Sequence, residues 1–337
     1  MRNRQVLYLR QPEGRLTEAC FGHTESPVPT PNAGQVLLRT RYLSIDPYLR
    51  RQMLGVQGYP TLLREGGLMT GRGVAEVIAS QHPAWQPGDL ALAELGWQEY
   101  AAFNAATLKR LDASVHPASL HLGLLGASGE TAWYGLTQLG QPRPGQTVLV
   151  SAAGGAVGSV VGQLARLLGC RVLGIAGGAE KCATVVRDFG FHACLDHRAP
   201  NLAARLQAAV PEGVDVYFEN VGGAVLDAVL PVLNANARIP LCGLVAQYNA
   251  TTPYAYANFM KLLDQCVTIT GFRIGQVAPA LRAQARAELL GWWRQGKLHA
   301  AETVTDGLHS APAALVGILD GGNIGKRVVR LLWEDEA

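Results

Sequence analysis

Long apolar runs are missing from this chain. No stretch approaches the ~18 consecutive apolar residues that a membrane helix requires, and Met1–Arg15 mixes charge with apolar residues where a secretory signal would carry an apolar centre. A cytoplasmic address is the resulting expectation. An excess of one charge is missing too. The 29 Lys and Arg against 26 Asp and Glu leave a formal net charge of +3, with no basic run or arginine–aromatic cluster, which argues against a nucleic-acid partner. Cysteine is scarce. Cys20, Cys170, Cys182, Cys194, Cys242 and Cys266 form no C-x-x-C pair, so neither a disulfide framework nor a zinc ribbon is written here. They read as small buried apolar residues. The eight histidines are scattered and suggest no ligand pairs.

What is present suits an enzyme of two domains: 337 residues, 48% hydrophobic and 16% charged. Residues 1–122 carry short β-type runs, among them Val36–Leu38, Gly73–Ile78 and Leu90–Ala93, the last preceded by the turn Gln86-Pro87-Gly88-Asp89. That spacing predicts a β-barrel-like domain. From Thr147 the pattern becomes strand, helix, strand. The strands are Thr147–Val150, Arg171–Ala176, a third ending before His197, Val214–Phe218, Arg238–Cys242 and Val267–Phe272. Pro240 weakens the fifth, because a central strand cannot spare a backbone N–H. Helices are expected after residue 156, with stops at Gly169 and Gly190. The fold class is therefore α/β, with a doubly wound parallel sheet over 123–303. A helix near Ser310–Leu319 and a strand Lys326–Leu331 return residues 304–337 to the first domain, so the sheet domain is an insertion.

Ala153-Gly154-Gly155-Ala156-Val157-Gly158 is an A-x-G-x-x-G form of the dinucleotide fingerprint, placed between a strand and an amphipathic helix, the context it needs. Gly155 lets the backbone approach a pyrophosphate, and Gly158 lets helix and strand pack closely. Free N–H groups and the helix dipole then favour the phosphates. An NAD site usually carries a carboxylate about 20 residues on, holding the ribose. Here the next strand ends Ile175-Ala176-Gly177-Gly178. Lys181 follows within a turn and His197-Arg198 after the third strand, so there is room and positive charge for a 2′-phosphate. NADPH is the expected cofactor.

A zinc alcohol dehydrogenase places Cys or His near the end of an early strand and in a Gly-His-Glu segment. The comparable places here read Ser44-Ile45-Asp46-Pro47 and Gly71-Arg72-Gly73-Val74-Ala75-Glu76, without either residue. The expected chemistry runs without metal. Hydride delivered to the β-carbon of a conjugated carbonyl moves charge onto the oxygen, where a hydrogen-bond donor stabilises the enolate. Neutral tyrosine can donate. The candidates are Tyr48, in Asp46-Pro47-Tyr48-Leu49-Arg50, and Tyr248, just beyond a parallel strand's C-terminal end, where such sheets bind ligands. Loops 54–68 and 247–258 are expected to supply pocket walls.

Tyr42–Arg50, Gly129–Leu136, Val150–Gln163, Phe218–Gly223, Cys242-Gly243 through Gln247-Tyr248-Asn249, and Gly322–Lys326 occur in order along almost the whole chain. In them the chain resembles the zinc-free medium-chain dehydrogenase/reductases, in particular the leukotriene B4 12-hydroxydehydrogenase/prostaglandin reductase family with its bacterial curcumin reductase and plant double-bond reductase relatives. The resemblance implies a GroES-like catalytic domain beside a Rossmann domain, NADPH as hydride donor, a small α,β-unsaturated carbonyl substrate and a homodimer joined through the nucleotide domains. It also implies that Gly155, Ala156, Val157 and Gly158 bind the pyrophosphate and Lys181 the 2′-phosphate. Asn220, Cys242, Gly243, Tyr248, Phe272, Arg273, Ile274 and Asn323 would line the cofactor, and Tyr48 and Tyr248 would sit near the substrate carbonyl. His197 stands where the family often has Tyr, and Gly178 where it has Ser. Three functions stay open on the sequence: an NADPH-dependent enone or enal reductase, a zinc-free quinone reductase, and an NADPH-binding protein without turnover.

Overall fold

The computed structural model describes residues 1–56 and 63–333, so residues 57–62 of the expected 54–68 pocket wall lie outside the described residues. Contacts divide the chain into two units. One holds Met1–Leu122, Thr303–Gly322 and the residues from Arg327 onward; the other holds Gly123–Glu302 and Asn323–Lys326.

The first unit begins with β1 (Arg2–Tyr8), β2 (Phe21–Pro27), β3 (Gln35–Ile45), the helical turn α1 (Tyr48–Met53), β4 (Gly67–Leu68), β5 (Gly73–Ser80), β6 (Leu90–Ala93), β7 (Tyr100–Asn104) and β8 (Lys109–Arg110). β1 pairs antiparallel with β2 and β4. The turn between β5 and β6 closes because Gly88 takes φ +91° and the Asp89 carboxylate accepts the Gln86 N–H at 2.8 Å.

In the second unit α2 (Ala127–Tyr134) leads to β9 (Thr147–Ser151), α3 (Gly158–Leu167), β10 (Arg171–Ala176), α4 (Ala179–Phe189), β11 (Ala193–Asp196), α5 (Leu202–Ala209), β12 (Val214–Phe218), α6 (Gly223–Val229), β13 (Leu233–Leu241), α7 (Lys261–Asp264), β14 (Thr268–Gly271) and α8 (Pro279–Arg294). The sheet order is β11-β10-β9-β12-β13-β14, and each neighbouring pair is parallel. β9 is buried along its whole length, as a strand covered on both faces must be. α3 turns Val160, Val161, Leu164 and Ala165 inward and leaves Arg166 and Leu167 exposed. Each large side chain buried this way contributes roughly 1.5–3 kcal/mol. α2 is tied to α8 by buried Glu130, which accepts from Arg282 at 2.6 Å and from Arg286, and by Trp133 donating to Glu288 at 2.8 Å.

The chain then forms β15 (Glu302–Asp306), α9 (Ala311–Leu319) and β16 (Lys326–Arg330). β16 runs antiparallel to β3 along Tyr42–Ile45, on the edge that β7 occupies along Gln35–Arg39, while β5 takes the other edge. β3 is thus the spine of a seven-stranded sheet that the C-terminal strand completes. Among the described residues no helix is long and apolar enough to cross a membrane.

Three expectations are revised. The fifth strand starts at Leu233 rather than Arg238 and contains Pro240, whose carbonyl accepts the Glu219 N–H at 3.0 Å, and its register against β12 shifts between Leu233 and Arg238. Residues Asn323–Lys326 group with the second unit, because the Gly325 N–H donates to the Gly154 carbonyl at 2.7 Å. The cysteines are not uniformly buried: Cys194 and Cys242 are half-buried and Cys266 is exposed.

α3 approaches the segment between α4 and β11 so closely that a Cβ at Gly162 would stand 1.8 Å from Phe191 Cζ. Gly162→Ala is expected to lower the free energy of unfolding by about 1–3 kcal/mol through overpacking, measured by chemical denaturation. An unchanged midpoint would contradict that packing.

Candidate active site

Ser151 ends β9, and Ala152 takes φ +49° to start the glycine turn, whose Gly155 N–H donates to the Ala152 carbonyl at 2.8 Å. A Cβ at Gly158 would lie 2.3 Å from that carbonyl oxygen, so no other residue fits where α3 begins. Ala156 and Val157 remain half-exposed ahead of the helix. The first N–H groups of α3 and its dipole favour an anion at this end. Asn323 is brought to it from far along the chain: its Nδ2 donates to the Gly325 carbonyl at 2.7 Å, and Gly325 bridges Gly155. The turn sits between β10 and β12 in the sheet order, the switch point where doubly wound sheets bind ligands.

The tip of β10 gathers the other cofactor candidates. A Cβ at Gly177 would stand 2.9 Å from His197 Nε2 and 3.0 Å from Arg198 Nε, and one at Gly154 would meet the Lys181 stem at 2.8 Å. Lys181, His197 and Arg198 therefore converge on one small space. Partial burial, then the Arg198 charge, lowers the Lys181 ammonium from its usual range. Burial of the His197 ring, then the Arg198 and Lys181 charges, lower it against the opposing Asp196 charge, although the residue as a whole is exposed. Burial and neighbouring positive charge both disfavour the cationic forms here, and a dianionic phosphate would relieve both. One carboxylate escaped the sequence reading. Asp196 pairs with Ala176 across the sheet, but its Oδ1 accepts the Gly178 N–H at 2.7 Å and the Arg198 N–H at 2.9 Å. Those backbone donors hold its carboxyl below the usual range and orient the loop that carries His197 and Arg198.

Beyond β12 and β13 the chain builds a third cluster. Asn220 donates its Nδ2 to the Ser151 carbonyl and receives the Val245 N–H on its own carbonyl. The Cys242 and Gly243 N–H groups both reach the Glu219 carbonyl, at 2.9 and 3.3 Å. A Cβ at Gly243 would lie 3.3 Å from the Tyr248 hydroxyl and 3.4 Å from the Asn220 carbonyl, so the phenol folds back over this strand end. Burial and the Glu219 carboxyl push the Cys242 thiol up to about 12, which leaves it protonated and no nucleophile. The 247–258 loop is pinned by Asp227, which accepts the Ala257 and Asn258 N–H groups. Phe272 packs on Tyr134 at 5.6 Å between ring centres and against Gly135, a packing role, while Arg273 and Ile274 beside it are half-buried.

Tyr48 belongs to the first unit, at the start of α1. It packs on an apolar cluster containing Leu49, Met53 and Leu315. The segments compared with zinc-ligand positions do meet: the Ser44 N–H donates to the Arg72 carbonyl at 2.8 Å, and the Ser44 hydroxyl bonds Asp46. What stands there is a guanidinium. Arg72 grips Glu94 through Nε and Nη2 at 2.9 and 2.7 Å. Burial opposes its charge, and Glu94, Tyr48 and Asp46 more than offset that. No group of three or more His, Cys, Asp or Glu among the described residues is arranged to hold a metal ion. Sequence reasoning missed Ser151, Glu219, Asp196 and Arg72. The available signal was a polar residue ending or following an apolar strand.

Two family models match the chain, one described as the N-terminal domain of oxidoreductase over residues 4–111 and one as zinc-binding dehydrogenase over 156–290. The NADPH-dependent curcumin reductase of Escherichia coli (strain K12) is 43% identical, over 99% of this chain and 98% of the relative. Prostaglandin reductase 1 of Mus musculus is 37% identical over 94% and 96%. The crystal structure of CurA in complex with NADPH from Vibrio vulnificus matches with a TM-score of 0.93 and 42% identity, over 98% of this chain and 99% of that one.

The cluster at Gly177 yields a direct test. Lys181→Ala is expected to weaken NADPH binding by about 1.5–3 kcal/mol, the scale of a hydrogen bond to a charged group, and to leave NADH binding nearly unchanged. Equal losses for both nucleotides, measured by fluorescence titration, would place the 2′-phosphate elsewhere.

Proposed function

The chain belongs to the zinc-free branch of the medium-chain dehydrogenase/reductases, in the group of the curcumin and prostaglandin reductases, and we propose that it reduces the carbon–carbon double bond of α,β-unsaturated ketones and aldehydes. It is an NADPH-dependent oxidoreductase. The residues fit the cofactor: a glycine turn that a Cβ would fill, and three basic side chains at the adjoining strand tip. When bound, NADPH supplies the hydride.

The observation that carries the double-bond reading is the Tyr248 phenol, folded over Gly243 beside Asn220 at the C-terminal ends of β12 and β13. Gly155–Gly158 would hold the pyrophosphate, and Lys181, His197 and Arg198 the 2′-phosphate. Asn220, Cys242, Gly243 and the residues Phe272–Ile274 would border the nicotinamide, with Asn323 braced against the glycine turn. As the β-carbon gains hydride, negative charge collects on the carbonyl oxygen, and a donor already aimed there lowers the barrier. A phenol, neutral at pH 7 with a pKa of about 10, can be that donor. Tyr48, beside the Arg72 guanidinium, is the second candidate.

The same reading includes a cytoplasmic homodimer. β14 forms a sheet edge, and Phe259, Met260, Leu263 and Ile269 expose 60%, 64%, 72% and 40% of their surface around it. Unpaired edge groups flanked by apolar side chains are a template for a second copy. Six cysteines without a disulfide among them suit a reducing compartment.

Purified protein is expected to oxidise NADPH with a panel of enones and enals; loss of NADPH absorbance with none of them would overturn the reading. Tyr248→Phe should lower kcat by about 10²-fold, the effect of removing one oxyanion donor, with little change in the KM for NADPH. Replacing Leu263 and Ile269 with Glu should weaken self-association at least about tenfold, read by light scattering; an unchanged association would place the contact elsewhere.

A further inference from the structure

Glu219 is fully buried, follows directly on β12, and touches three strand ends. Its Oε1 accepts the Ser151 hydroxyl at 2.9 Å, the Gly222 N–H at 2.9 Å and the Val221 N–H. Its backbone carbonyl takes the N–H groups of Cys242 and Gly243, past the end of β13. The Ser151 hydroxyl in turn receives the Asn220 N–H at 2.8 Å, and the carbonyls of Asn220 and Val221 receive the N–H groups of Val245 and Ala246. The whole Cys242–Tyr248 segment thus hangs on the 219–221 backbone, and the Glu219 side chain holds that backbone from beneath.

The carboxyl is used unevenly. All its donors converge on Oε1, and no donor among the described residues reaches Oε2 at hydrogen-bonding geometry. The polar group left beside it is the Tyr217 hydroxyl, on the same face of the strand and equally sealed, also without a partner at that geometry. An ionised carboxylate would be sealed in the interior with no cation facing it and only the Tyr217 hydroxyl on its Oε2 side, which is expensive. A proton on Oε2 turns that bare acceptor into a donor toward the phenol oxygen. The remaining titratable groups here are the Cys242 thiol, which stays protonated, and Tyr256, which acts on Tyr217; neither brings positive charge to hold a carboxylate.

We propose that Glu219 is a positioning residue for the nicotinamide end of the cofactor site, acting as an uncharged acid with its proton on Oε2. Burial raises its carboxyl above the usual range, against the Tyr217 hydroxyl and the donors on Oε1, which is the same direction. The inference rests on the NADPH reading.

The test uses the full chain with Glu219→Gln, Glu219→Ala and Ser151→Ala. At neutral pH the infrared spectrum of the wild type should hold a protonated-carboxyl band that E219Q lacks. Fluorescence titration should show E219Q binding NADPH within about twofold of wild type, because the amide keeps the acceptor and places a donor at Oε2. Glu219→Ala and Ser151→Ala should bind NADPH about tenfold or more weakly. Adenosine 2′,5′-bisphosphate, which probes only the adenosine end, should bind all variants within about twofold of wild type, a selectivity that general destabilisation would not produce. Absence of the band, an E219Q as weak as E219A, or equal losses for both nucleotides would overturn the proposal. Should E219A not fold, the band, E219Q and Ser151→Ala still decide. A wild type that bound no NADPH would instead sink the cofactor reading, and the band would still report on the proton.

Discussion

Where β9 ends, the backbone must change from strand to helix in a space too narrow for any side chain, because the Ala152 carbonyl stands where a Cβ at Gly158 would be. That close approach brings the N-terminus of α3 up to the carboxyl ends of β9, β10 and β12. Helix N–H groups, the basic cluster at Gly177 and the Asn220–Tyr248 cluster all take their places from it. The order β11-β10-β9-β12-β13-β14 then opens the sheet on either side of the turn. The adenosine-side candidates belong to β10 and β11, the nicotinamide-side candidates to β12 and β13.

The two sides solve opposite electrostatic problems. At the tip of β10, Lys181, His197 and Arg198 crowd together, and burial and the Arg198 charge make Lys181 and His197 less comfortable as cations. Such a cluster is tolerable in isolation because it is partly open to water, and it is satisfied by a phosphate. Asp196 spends an oxygen on the Gly178 and Arg198 backbone donors and also acts on the His197 and Arg198 charges. At the ends of β12 and β13 the surroundings are sealed and nearly free of cations. There Glu219, Tyr217 and Cys242 are all shifted toward their neutral forms. A neutral, hydrogen-bonded floor keeps stray charge away from the place where charge would develop on a substrate oxygen.

Much of this was legible in the sequence. The buried run Thr147–Val150, the helical spacing of Val160, Val161, Leu164 and Ala165, and the stop at Gly169 follow from local sterics and periodicity, and the structure places them as expected. Lys181 and Arg198 could be named because the fingerprint fixes how far along the chain the next strand tip falls. The fifth strand was expected from Arg238, with Pro240 counting against it; the structure runs it from Leu233 through Pro240, and how early it starts depends on pairing with β12, which local pattern does not carry.

By itself, then, the order of residues determined the sheet, its glycine turn and the positively charged strand tip, because those depend on groups a few positions apart and on a fixed helix and strand geometry. Tertiary structure alone decided which distant residues meet. It laid Asn323–Gly325 along the glycine turn, set Asp196 beside Ala176, put the Arg72 guanidinium by Tyr48 and hung the Tyr248 loop from Glu219. The reason is physical: each is a contact between segments widely separated in sequence, closed by burial and hydrogen-bond satisfaction rather than by local propensity.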